Sequence, residues 1–175
     1  MIQRILPLLF LLLLTSCYAD ELDRELDVEP FFDLRGYMTA QIDSLTAAQP
    51  VVEKMVVLNG TRETQQRDDI AWANDLRVFR EADINKPDWW DKYSIERGEG
   101  RTVYVALDSS LQTRRLVVSR TDGVVTEVEI ERRTGSVLSD GRHELRYTPG
   151  EGYRVRTVQE NRFGGDVEGE VVVRF

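Results

Sequence analysis

The chain has 175 residues, a single cysteine, a single histidine and a formal net charge of −8. Residues 17–100 hold 19 Asp and Glu against 10 Lys and Arg, while residues 101–175 hold 12 of each sign, every base there being arginine. With no basic run, the sequence lacks the cationic surface of a nucleic-acid binder and the polybasic segment that grips anionic lipid headgroups.

Met1-Ile2-Gln3-Arg4 carries one positive side chain, and Ile5 to Leu14 follows as a ten-residue apolar run broken only by Pro7. At about 1.5 Å per residue, a helix of that length covers roughly half of a ~30 Å hydrocarbon core. It is too short to span and has the order of a secretory signal, so residues 1–16 are set aside from the fold. The run ends in Leu14-Thr15-Ser16-Cys17. This resembles the lipobox of bacterial lipoproteins: an aliphatic residue, two small ones, and the cysteine that receives lipid before cleavage. The resemblance implies a mature chain starting at Cys17, held by acyl chains such as palmitate on a bacterial envelope membrane. The outer membrane is favoured, because Tyr18 is not the aspartate that retains enterobacterial lipoproteins in the inner membrane. Two other readings stand beside it. Cys17-Tyr18-Ala19 also forms a weak small-x-small site for ordinary signal peptidase, and the run can be read as an uncleaved anchor.

Removal of residues 1–16 leaves 159 residues, enough for one domain with a substantial core. With Cys17 acylated, no thiol remains for a disulfide or a metal. Residues 17–30 form the lipidated cysteine and an acidic tether, with Asp20, Glu21, Asp23, Glu25, Asp27 and Glu29 against Arg24. Such a segment is a solvated, self-repelling spacer. It also resembles the surface-export signal of some Bacteroidota lipoproteins.

Residues 31–175 read as a single α+β domain. Phe31, Leu34, Met38, Ile42 and Leu45 share one face of a helix over 31–48, which Gln49-Pro50 ends. Val51 to Leu58 is β-rich, Asn59-Gly60 is a hairpin turn, and the polar return strand Thr61 to Gln66 belongs at a sheet edge. Asp68 or Asp69 is expected to cap a second helix running to about Ala82, with Trp72, Ala73, Leu76 and Phe79 inward. Asn85-Lys86-Pro87 breaks it, and the aromatic turn Asp88-Trp89-Trp90-Asp91-Lys92-Tyr93 follows.

From Arg101 onward the period is two. Val124, Thr126, Val128 and Ile130 alternate with Val125, Glu127, Glu129 and Glu131; the segments at 142–147, 153–158 and 167–175 alternate likewise. Turn residues between them make hairpins, so the expectation is an antiparallel meander of about six strands forming one sheet packed on the helices. One face is apolar and the other carries rows of Glu and Arg that pair across strands.

No catalytic, phosphate-binding, dinucleotide-binding or zincin motif is present, so no catalytic residue, metal ligand or cofactor is assigned. His143 lies on a strand with Leu145 and Tyr147 and reads as a structural or rim histidine. The one local constellation is Asp88, Trp89, Trp90, Asp91 and Tyr93. Two adjacent tryptophans cannot both point inward from one element. Either the pair plugs the end of the sheet beside Trp72 and Phe79, or an exposed indole grips a partner or stacks on a sugar.

Three functions compete: a non-catalytic binding or assembly module on a lipid tether, with an envelope protein as partner; a carrier or receptor of an apolar ligand; and a cell-wall or glycan hydrolase. An open sheet with helices on its concave side is similar, at the level of architecture, to the half-barrel lipoprotein carriers of the outer membrane. A dry apolar cavity favours the carrier, a polar cleft with convergent acids the hydrolase, and a filled core the module. Beyond the signal region, the chain resembles envelope lipoproteins of the Bacteroidota type, which implies a location and no activity.

Overall fold

In the computed structural model, helix α1 (Leu34–Ala48) begins where Asp33 caps it, its carboxylate accepting from the Gly36 N–H at 2.7 Å. It ends at Gln49 in the left-handed region (φ 45°), just before Pro50. Leu34, Met38 and Ile42 are buried on one face, with Phe31 buried ahead of the helix and Leu45 packed at the margin. The structure describes residues 31–175; the apolar run, Cys17 and the acidic tether lie outside the described residues.

The hairpin follows as strands β1 (Val52–Leu58) and β2 (Thr61–Arg67). Asn59 and Gly60 both take positive φ, 47° and 84°, which is the type I′ geometry whose twist suits antiparallel strands. The long second helix expected over residues 68–82 is instead two single turns, α2 (Trp72–Asp75) and α3 (Arg77–Arg80), meeting at Leu76. Leu76 leaves helical geometry at φ −94°, ψ 4°. Asp69 does not cap; it pairs with Arg67, and Ala71 precedes α2 with no side-chain cap. Trp72, Leu76 and Phe79, at i, i+4 and i+7, reach the core as expected, whereas Ala73, expected inward, faces solvent.

Six strands do follow Arg101: β4 (Arg101–Ala106), β5 (Thr113–Thr121), β6 (Val124–Gly135), β7 (Ser139–Thr148), β8 (Gly152–Asn161) and β9 (Val167–Arg174). The sheet is larger than that, however. β3 (Tyr93–Gly98) precedes β4, and the N-terminal hairpin docks on the far side, giving nine strands in the order β2-β1-β9-β8-β7-β6-β5-β4-β3. Every neighbouring pair is antiparallel and the sheet is open, with β2 and β3 as its edges. The six-strand expectation fell short because β1–β9 pairing joins residues more than 110 positions apart, as between Glu53 and Arg174.

One face of the sheet shares a single core with the helices. Leu116, Val118, Val128, Ile130, Leu145, Tyr147, Tyr153 and Val173 meet Leu34, Met38, Trp72, Leu76 and Phe79 there. The alternation in β6 does not hold throughout. Ser119 faces Glu127 but Arg120 faces Val125, so Thr126 is the extra residue of a bulge. The bulge reverses the phase: Val125 packs on the core with Val128 and Ile130, while Val124 is exposed.

Candidate functional site

Pro87–Trp89 forms one 3-10 turn, with proline in its first turn, where the missing N–H costs least. Adjacent residues of such a turn point in different directions, and the two indoles part accordingly. Trp89 packs against the core, its ring 6.5 Å from that of Tyr93 and covered by the Lys86 ammonium at 3.7 Å. Trp90 points outward and is 36% exposed, between exposed Asp88 and Asp91. Tyr93 is buried: its hydroxyl donates to the Thr113 carbonyl at 2.8 Å, Phe31 meets its ring edge-on, and burial pushes its pKa up to about 12. The five residues read as one patch therefore divide, with Trp89 and Tyr93 inside and Asp88, Trp90 and Asp91 outside. The neighbours expected of the plug are engaged elsewhere. Trp72 pairs edge-on with Phe175, and Phe79 with Tyr147 and Tyr153.

On the face away from the helices, the register builds two rows. Val103, Val117, Glu129, Arg146, Arg154 and Val172 align in one, and Val105, Arg115, Glu131, Glu144, Arg156 and Glu170 in the next. The charges pair as a lattice. Arg146 meets Glu129 at 2.9 Å and Glu127 at 3.4 Å, Arg115 meets Glu131 at 3.3 Å, Arg156 meets Glu168 at 2.8 Å, and Arg154 meets Glu170. Each exposed pair contributes at most about 1 kcal/mol, so the lattice shapes the surface more than it holds the fold. Partial burial raises the Glu127 carboxyl pKa, and the neighbouring Glu129 adds to the shift while Arg146 opposes it. One guanidinium thus holds both carboxylates, through Glu127 Oε1 and Glu129 Oε1.

His143 sits on the core side of β7, half-buried. Its ring nitrogens lie 3.0 Å from Thr134 Oγ1 and 3.1 Å from Thr157 Oγ1, so both are satisfied by hydroxyls on the flanking strands. Burial, reinforced by Arg132, lowers its pKa. This is a structural histidine. Among the described residues, no group of three or more His, Cys, Asp or Glu is placed to hold a metal, and no helix is long and apolar enough to cross a membrane.

Sequence reasoning missed two buried polar features. Asp75 accepts from Tyr153 at 2.6 Å and from Lys54, tying α2 to β8 and β1. Asp83 is buried, with Arg35 at 3.8 Å and one carboxylate oxygen without a hydrogen-bond partner; burial raises its pKa. No motif marks either, because partners 21 to 78 residues apart meet only through the sheet order.

The grooves are shallow and charged. One of about 340 Å³ runs between Arg115, Glu131 and Arg154 on the uncovered face, and one of about 400 Å³ lies among Lys54, Asp69 and Asp75. Comparisons with protein-family models, with curated proteins and with solved structures return no match.

Proposed function

We propose that this chain is a lipid-anchored envelope lipoprotein whose 31–175 domain is a non-catalytic binding or assembly module. The anchor rests on Leu14-Thr15-Ser16-Cys17 closing a ten-residue apolar run. The module reading is carried by one observation: the space between helices and sheet is filled by large side chains, Phe79, Leu34, Met38, Leu76 and Tyr147 among the fully buried ones. A carrier needs that space empty, and a filled core supports a domain that acts through its surface. The outward Trp90, set on a turn that Trp89 locks, suits it as an aromatic contact to another envelope protein. A tethered domain also gains from weak contacts, since tethering raises the effective concentration of any partner on the same membrane.

Three measurements test this. Cells fed a clickable fatty acid should label the wild-type chain and not Cys17→Ala; equal labelling removes the anchor. A photo-crosslinker at the exposed position 91, with Trp90 kept, should capture a discrete envelope protein, and adding Trp90→Ala should abolish the capture. Saturable turnover of a peptidoglycan or glycan panel, abolished by Glu127→Gln or Glu129→Gln, would replace the module with a hydrolase.

A further inference from the structure

The sheet has a notch. Strand β5 starts at Thr113, whereas its neighbour β6 continues to Gly135 and pairs with β7 down to Asp140. Past the Thr113–Arg132 pair, the β6–β7 hairpin projects beyond β5, closed on one side by the loop before Thr113, where the Arg133 N–H donates to the Gln112 carbonyl at 2.8 Å. A second bulge, at Arg114, turns that side chain back over the loop: its Nη1 donates to the Asp108 carbonyl at 2.6 Å. The result is an open groove of about 510 Å³ lined by Ser109, Arg114, Arg132, Arg133, Arg142 and His143, among others.

The charge in this groove runs against that of the molecule. Arg115 completes a set of five arginines, while Glu131 and Glu144 are the only carboxylates in its lining, an excess of three positive charges in a chain of net −8. Arg115 is engaged by Glu129 and Glu131, and Arg142 by Glu160 at 3.4 Å. Arg114, Arg132 and Arg133 meet no carboxylate within 4.0 Å among the described residues. Arg132 is the most telling of them. It is half-buried, held by the Val78 carbonyl at 3.4 Å and Gln112 Oε1 at 3.1 Å, and its Nε is buried with no partner. Glu81 acts on it from beyond 4.0 Å, and burial still outweighs that help and lowers its pKa, so an anion brought close would stabilise it further.

We propose that this notch binds a phosphate group, with Arg114 from β5 and Arg133 from β6 supplying forked donors and Arg132, on the core side of β6, adding a fixed charge. A single carboxylate offers two acceptor oxygens and one charge to the three arginines that lack a close carboxylate, whereas a phosphate monoester carries about two charges and offers three acceptor oxygens. The phosphate is carried either by a soluble ester or by a lipid headgroup.

The test uses the purified full chain in neutral maltoside micelles, titrated with inorganic phosphate by calorimetry at low salt. Saturable one-to-one binding is expected. Arg133→Gln, an exposed change that leaves the core intact, should weaken it about tenfold, the loss of one charge-assisted hydrogen-bond pair. Arg154→Gln, on the uncovered face, should leave it unchanged. Repeating the titration in micelles doped with phosphatidic acid separates the sources: a fall in apparent phosphate affinity identifies the headgroup, and no change identifies a soluble ester. Absence of saturable binding overturns the site, as does equal weakening by Arg133→Gln and Arg154→Gln, which would mean diffuse attraction only. Arg114→Gln is the second variant, and its failure to weaken binding while Arg133→Gln does would overturn the two-strand geometry.

Discussion

Tyr153 donates its hydroxyl to Asp75 Oδ2 at 2.6 Å, across the interface between β8 and α2. Lys54 of β1 reaches the same oxygen, so one carboxylate joins two strands on either side of β9 to the helical segment. Burial and this acceptor both raise the Tyr153 pKa, keeping the phenol a donor throughout the physiological range. Tyr153→Phe removes the hydrogen bond and leaves the ring. It should cost about 1.5–3 kcal/mol in urea unfolding, the usual worth of a bond to a charged group. A cost below about 0.5 kcal/mol would mean that Lys54 alone satisfies Asp75.

The two tryptophans should respond oppositely. Trp89→Ala removes a half-buried ring and the seat of the Lys86 ammonium, and should lower stability by about 2 kcal/mol. Trp90→Ala should change stability by no more than about 0.5 kcal/mol. Thermal unfolding of both variants decides it; similar losses would place both rings in the core.

Gly152 opens β8 at φ 142°, and a Cβ there would collide with the Val173 carbonyl oxygen on β9. Gly152→Ala should therefore destabilise by about 3 kcal/mol or more, through backbone strain that no side chain can relieve. Gly123, at φ 81° with open space around it, should tolerate alanine with a much smaller loss. Denaturation midpoints of the pair make the comparison.

His143 gives a pH dependence of known sign. Its pKa in the fold lies below the ordinary value of about 6.5, so the unfolded chain takes up the proton first. The contribution is fully present above pH about 6.5 and is lost as pH falls through the window between the two values. His143→Gln keeps partners for Thr134 and Thr157 without a titrating ring. It should flatten stability between pH 7 and 5, and an unchanged slope would assign the dependence to other groups.

Where the chain repeats its pattern locally, the fold was legible. The face of α1, the Asn59-Gly60 turn and the two-residue period of the later strands each follow from contacts between near neighbours. What the sequence concealed depends on distant partners. The break at Leu76 stands beside Asp75, whose partners Lys54 and Tyr153 lie 21 and 78 residues away. The bulge at Thr126 is invisible in a string of alternating residues, because it exists only relative to the opposite strand. Of the candidate contact, the parting of Trp89 and Trp90 was legible from their adjacency, but which of the two turns inward was set by Tyr93 and Lys86. The arginine notch had no signature at all: its residues come from two loop-flanking strand ends and a hairpin that overshoots its neighbour.

The insertion of β1 between β2 and β9 fixes an order of events. Synthesis releases the chain from its N-terminus, so the β1–β2 hairpin emerges early and its inner edge waits for residues 167–174. Until then β1 is a row of unpaired amides and carbonyls beside Met55, Val56 and Val57. The wait ends only with β9, so loss of residues 167–174 would do more than shorten the sheet. It would strand the hairpin as an adhesive edge, and a truncated chain should be cleared or aggregate while a full-length one is still closing.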